Sequence, residues 1–140
     1  MNDLEVLNEI NKGALIGMES IKNISEKVED DKLRTVLEDQ YSEYEAISDQ
    51  VKDKFDSVKK LEKVSTGMKL MNRTGIVFNT MIDSSSSKIA EILIQGNEMG
   101  IVKGRKMLNQ STGIDKETQG ILNRFVDFQE RNIESLKKYL

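Results

Sequence analysis

The sequence predicts an all-α protein: an antiparallel four-helix bundle with an additional short helix in the crossover between its two hairpins. Three observations carry this. Apolar residues recur at threes and fours along four long segments. The breaks near 29–31 and 110–115 are short, which makes the helices on either side of each break antiparallel neighbours. Proline is absent, so nothing interrupts a long helix. The 140 residues form one helical-bundle domain, 1–140, long enough to bury a core without disulfides.

The first helix is expected over about residues 3–28. Asn2 with Glu5 three residues on matches a capping box, with Asp3 as a competing cap. Leu4, Leu7, Ala14, Met18, Ile21 and Val28 trace its stripe, widened by Ile10, Leu15 and Ile24, and the polar Asn11 and Ser25 fall in the same stripe. Gly13 and Gly17 sit inside it, marking either a close crossing or a weak spot. Glu29, Asp30 and Asp31 break the pattern and suit the positive end of a new helix.

The second helix, 31–64, carries Leu33, Leu37, Tyr41, Tyr44, Ile47, Val51, Phe55, Val58 and Leu61 at helical spacing. Lys59, Lys60 and Lys63 fit its C-terminal end, with Thr66-Gly67 beyond. A short helix follows over 68–82, where Met71, Gly75, Phe78 and Ile82 hold helical spacing. Ile76-Val77-Phe78 alone resembles a strand, but no partner strand is visible.

Asp83 and four serines offer N-caps for the next helix, 84–110. Ile89, Ile92, Leu93, Met99, Val102 and Met107 are expected along one broad side of it. Gly96, Gly100 and Gly104 recur beside them at every fourth position as helix-packing residues. Each glycine costs about 1 kcal/mol against alanine in a helix interior, so the run implies a compensating close contact, within the bundle or across a symmetric interface. Gly113 is the expected C′ residue and Asp115 the N-cap of the last helix, 116–139. Ile121, Leu122, Phe125, Phe128, Leu136 and Tyr139 are its apolar residues, and Lys137 and Lys138 suit its C-terminal dipole.

Composition narrows the function. There is no cysteine, hence no thiol nucleophile or thiolate metal site, and no histidine, hence no imidazole base or ligand. A serine nucleophile in the run 84–87 would lack its base. The glycine run lies within a helical pattern and not at a strand-to-helix turn, so it is no phosphate loop. Lys and Arg total 21 against 24 Asp and Glu, a net charge of −3 with the signs interspersed, and aromatics are 5%. A nucleic-acid partner is not expected. Neither is a membrane partner, since no apolar run approaches the roughly 18 residues of a span and Lys103, Arg105 and Lys106 interrupt the glycine segment. The opening MNDLEVLNEINKG starts acidic and has no basic segment of a secretory signal, so a cytoplasmic location is expected. The methionines at 68, 71, 81, 99 and 107 either fill the core or present an adaptable binding face.

The segments IAEILIQGNEMGIVKGRKML and MNRTGIVFNTMIDSSSSKIAE resemble the small ferritin-like bundles of bacteria, the rubrerythrin-like, spore-coat-like and related Firmicute proteins. The two-hairpin topology is similar over nearly the whole chain. The resemblance implies carboxylates on all four helices with Glu-x-x-His on two of them. The matching positions are Glu19, Glu38 with Tyr41, Glu98, and Asp127 with Glu130, and both histidine positions hold other residues. It therefore implies a degenerate site. Two functions are expected. The first is a non-enzymatic bundle without cofactor, in a structural role, that acts by self-association or protein binding, a homo-oligomer and most simply a dimer. The alternative is a carboxylate-only iron or manganese binder with redox or storage activity, its metal held by Glu19, Glu38, Glu98 and Glu130. A spore association follows from the resemblance alone.

Overall fold

The chain's structure, a computed structural model, describes residues 1–58 and 81–140. Among them every regular element is an α-helix. These are α1 (Asp3–Ser25), α2 (Asp31–Val58), α3 (Ser86–Gln110) and α4 (Lys116–Lys137). The expected helix ends differ by a few residues. Residues 59–64 of the second helix and 68–80 of the short crossover helix lie outside the described residues, while Met81 and Ile82 are not helical.

The caps follow the sequence. The Asn2 side chain accepts from Glu5 N–H at 2.9 Å while Glu5 accepts from Asn2 N–H at 3.0 Å, a complete capping box. Asp30 accepts from Lys32 N–H and Leu33 N–H at the start of α2, at 2.8 and 3.0 Å. Ser85 caps α3 and Asp115 caps α4 through Thr118 N–H at 2.8 Å. Gly113 does not close α3 in a left-handed turn. No described glycine has a positive φ, and the helix ends at Gln110 with Ser111 as its C-cap, whose N–H donates to Met107 O.

The contacts at the helix ends define the connectivity. Asp115 N–H donates to Asp3 Oδ1 at 2.9 Å, and Lys54 Nζ lies 3.0 Å from both Asp115 and Glu117. The start of α1, the end of α2 and the start of α4 therefore share one end of the bundle. Since α3 and α4 are joined by a short turn and run antiparallel, α3 starts at the far end, about 37 Å away for its 25 residues. The chain leaves α2 at one end and enters α3 at the other. The helices run up, down, down, up, which is the crossover connectivity of ferritin-like bundles.

The core sits along the axis. Leu7 and Ile10 of α1, Leu37, Ile47 and Phe55 of α2, Ile89 of α3, and Ile121, Leu122 and Leu136 of α4 are buried. Each contributes roughly 1.5–3 kcal/mol. The expected stripes of α1 and α4 hold, with Val6 and Val126 added, and that of α2 holds from Leu33 to Phe55, while the side chains of Val58 and Leu61 lie outside the described residues. On α3 they do not. Met99 and Val102 are 76% and 55% exposed. Met99 follows the buried Asn97 by two residues and Val102 precedes the buried Gly104 by two, so each lies about 200° round the helix from a core position.

Ion pairs tie the two hairpins together from outside. Arg124 of α4 reaches Glu43 Oε1 with Nε and Nη2 at 3.1 and 2.8 Å and Gln50 with Nη1 at 2.8 Å. Lys103 of α3 pairs with Glu9 of α1. Partial burial works against the charged form of Glu9, but Lys103 and Lys12 outweigh it and hold its carboxyl below the ordinary 4.5. The Thr118 N–H, and then Lys54, pull Asp115 from 3.8 down to about 2. Both carboxyls bind protons less tightly folded than unfolded. Their contribution to stability is thus full above about pH 4.5 and is lost as the pH falls toward 2. Thermal unfolding followed by circular dichroism is expected to show Tm falling through this window. Asp115→Asn, which keeps an oxygen to cap Thr118, is expected to flatten the fall; an unchanged acid limb would remove Asp115 from the account.

Candidate functional site

The four acids predicted as metal ligands do not converge. Glu38 and Glu98 are exposed, Glu19 is half-buried, and Glu130 pairs with Arg105 at 2.7 Å on the outer side of the α3–α4 hairpin. Asp127 is exposed as well. Among the described residues no three histidine, cysteine, aspartate or glutamate side chains come together at the reach of one ion. The donor set therefore does not fit the carboxylate centre that the resemblance implies.

Neutral polar groups fill the interior instead, at positions next to those acids. Asn97 stands beside Glu98 and Gln129 beside Glu130, and both are buried. Tyr44 of α2 donates its hydroxyl to Asn97 Oδ1 at 3.3 Å, and Asn132 Nδ2 donates to the same oxygen at 3.3 Å. Asn97 Nδ2 donates to Leu93 O at 2.7 Å, and Gln129 Nε2 to Phe125 O at 3.3 Å. One layer along, Ser48 donates to Asn11 Oδ1 at 2.7 Å, which joins α2 to α1. A neutral amide and hydroxyl network of this kind can be buried because its members satisfy one another, whereas carboxylates there would need cations.

Tyr44 is the hub. Its ring stands edge-on to Phe128 and Phe125 of α4, with centroids 4.7 and 6.4 Å apart. Burial pushes its hydroxyl from 10.0 up to about 12, against the opposing pull of the Asn132 amide. The acid-centred expectation missed Asn97, Gln129 and Asn132. Their signal was register. Asn97 is four residues after Leu93, Gln129 is four after Phe125, and Asn132 is four after Phe128, so each polar residue continues an apolar stripe. Asn11, placed in the stripe of α1 by sequence, is buried as expected.

The glycines divide by what faces them. A Cβ on Gly17 would overlap the Tyr44 ring, and one on Gly13 would stand 2.7 Å from Phe125 Cζ. The earlier ambiguity at these two residues resolves as close crossing. Gly100 faces the Gln129 carboxamide and Gly104 the Val126 side chain, so both serve the α3–α4 contact. Gly96 does not, because nothing lies within 4 Å of where its Cβ would be. It belongs to the open side of α3.

Two surface features remain. Where α1 passes into α2, a half-open recess of about 260 Å³ is lined by Ile21, Ser25, Glu26, Val28, Arg34, Leu37 and Glu38. Arg34 donates to Val28 O and pairs with Asp31, so its guanidinium is committed within its own hairpin. The second feature is the outer face of α3, where Met99 and Val102 stand exposed beside Gly96.

With this geometry in place, the described residues form an all-α four-helix bundle consistent with the broad ferritin-like fold, and none of their helices is long and apolar enough to cross a membrane. No family model, no curated protein and no solved structure matches it.

The contrast among glycines is testable. Gly17→Ala is expected to destabilise by about 1–3 kcal/mol, because the buried Tyr44 ring has nowhere to move. Gly96→Ala is expected to stabilise by about 0.5–1 kcal/mol, through helix propensity alone. Urea unfolding of both variants checks this, and the same sign for both would contradict it.

Proposed function

We propose that this chain is a non-enzymatic helical bundle that acts through its surface, by self-association or by binding another protein. This is a structural role of the kind that the likeness to spore-coat-like bundles suggests. The observation that carries the reading is the outer face of α3, where two large apolar side chains one turn apart, Met99 and Val102, are left to solvent with Gly96 open beside them. Scattered exposed apolar residues are ordinary on any protein, and what singles out these two is that they stand together on one helix face. The interior supports the same reading. Its polar groups are engaged with one another in Tyr44, Asn97, Asn132, Ser48 and Asn11, where the two hydroxyls donate to amide oxygens and not to a base.

The competing reading, a carboxylate-held iron or manganese ion, would have to draw Glu38 and Glu98 inward from exposed positions. Elemental analysis of protein expressed with both metals supplied separates the two. The surface reading expects substoichiometric metal, unaltered by Glu38→Ala or Glu98→Ala. Near-stoichiometric metal lost in both variants would overturn it.

A further inference from the structure

We infer that the recess between the end of α1 and the start of α2 seats a lysine or arginine side chain of a basic polypeptide segment, which lies along the acidic outer face of α2. This rests on the surface reading above, names the chemistry of a partner, and uses the hairpin that does not carry Met99 and Val102.

The recess has the profile of a long cationic side chain. Its floor is apolar, since Ile21, Val28 and Leu37 line it and are buried. Its rim carries Glu26 and Glu38, both exposed and neither engaged by an ion pair or hydrogen bond among the described residues. A hydrocarbon stem on such a floor, with its charged head beside the carboxylates, is how lysine and arginine divide themselves between apolar surface and water. The third charged group of the lining, Arg34, is held by Val28 O and by Asp31. Its position shows which charge this corner favours, because α1 ends at Ser25 and the negative end of its dipole attracts a cation there. At about 260 Å³ the recess falls below the roughly 300–1,000 Å³ of pockets that enclose a small molecule, and suits a single side chain.

The face that continues from the recess selects the rest of the partner. Between Glu38 and Asp56 the exposed charged residues of α2 are the acids Glu38, Asp39, Glu45, Asp49, Asp53 and Asp56, against one base, Lys52. None of these acids is in an ion pair among the described residues. Lys54, which could screen them, is committed to Asp115 and Glu117. Glu45 and Asp49, and Asp49 and Asp53, are like charges four residues apart, so they repel along the helix and a cationic chain laid over them relieves that repulsion. Glu38 belongs to both features and joins them. From Glu38 to Asp56 the face is about 27 Å long, which an extended chain spans with about eight residues. A polypeptide with several positive charges covers this length, whereas a compact cation does not.

Fluorescence anisotropy of dye-labelled octalysine, titrated with the full chain at about 50 and about 200 mM salt, is the test. Saturable one-to-one binding that weakens at the higher salt is expected. Glu26→Gln with Glu38→Gln is expected to weaken it roughly tenfold or more with the helical circular dichroism retained, since both side chains are exposed. Ser25→Leu, which fills the recess and alters no charge, is expected to weaken it as well. Binding that Ser25→Leu leaves unchanged would be attraction to the acids alone and overturns the seated side chain. Spermine displacing octalysine at equal concentration overturns the polypeptide in favour of a small polycation. Absence of saturable binding at the lower salt overturns the inference as a whole. Each of these failures leaves the Met99 and Val102 surface standing. Near-stoichiometric metal lost in Glu38→Ala and Glu98→Ala would be a separate failure, that of the surface reading itself.

Discussion

The bundle closes around one aromatic ring. Tyr44 leaves α2, lies across Gly17 of α1, stands edge-on to Phe125 and Phe128 of α4, and ends with its hydroxyl on Asn97 of α3. Four helices meet on one side chain. The other features of this level follow from the space the ring occupies. Residue 17 has to lack a Cβ, and Gly13 admits Phe125 one turn earlier for the same reason. The hydroxyl, carried into the core with the ring, requires an acceptor that is itself held. Asn97 supplies it, anchored through its amide nitrogen on Leu93 O.

Neutrality of this layer determines where the charges go. A carboxylate at position 97, 129 or 132 would be buried among aromatic rings, at a cost of several kcal/mol unless a cation joined it. Carboxamides carry the same hydrogen-bonding capacity without that penalty. The acids Glu98 and Glu130 stand one residue further along, turned about 100° away, where they meet water or Arg105. The same economy holds at the ends of the bundle. Asp115 caps α4, accepts Lys54 and donates its backbone N–H to Asp3, so one loop residue locks three helix ends together.

Much of the fold was legible in the sequence because helical periodicity and capping chemistry are local. Asn2 with Glu5, Asp115, and the stripes through Leu37, Ile47 and Phe55 or through Ile121 and Phe125 all stand where local rules place them. The crossover was legible as a consequence of two short turns, and the contacts of Asp3, Lys54 and Asp115 bear out its direction. On α3 legibility failed. That helix has apolar residues on two sides, and composition does not say which side faces in. Ile89, Leu93 and Met107 turn inward while Met99 and Val102 turn outward, and only Asn97, a polar residue on the inner line, distinguishes the two. The acids failed for a related reason. Matching Glu38, Glu98 and Glu130 to a ligand pattern used residue type without helical phase, and phase places neutral residues in the core.

The most direct test of this account is the ionisation of Tyr44, followed by the absorbance of its phenolate as the difference between wild type and Tyr44→Phe. A phenol whose folded value is raised contributes stability below its ordinary 10.0 and loses it as the pH climbs through the folded value. The account predicts that this one group ionises at about 12, with the thermal stability of the bundle falling over the same range. Ionisation near 10 with the bundle intact would mean that the ring is not enclosed by four helices, and would contradict it.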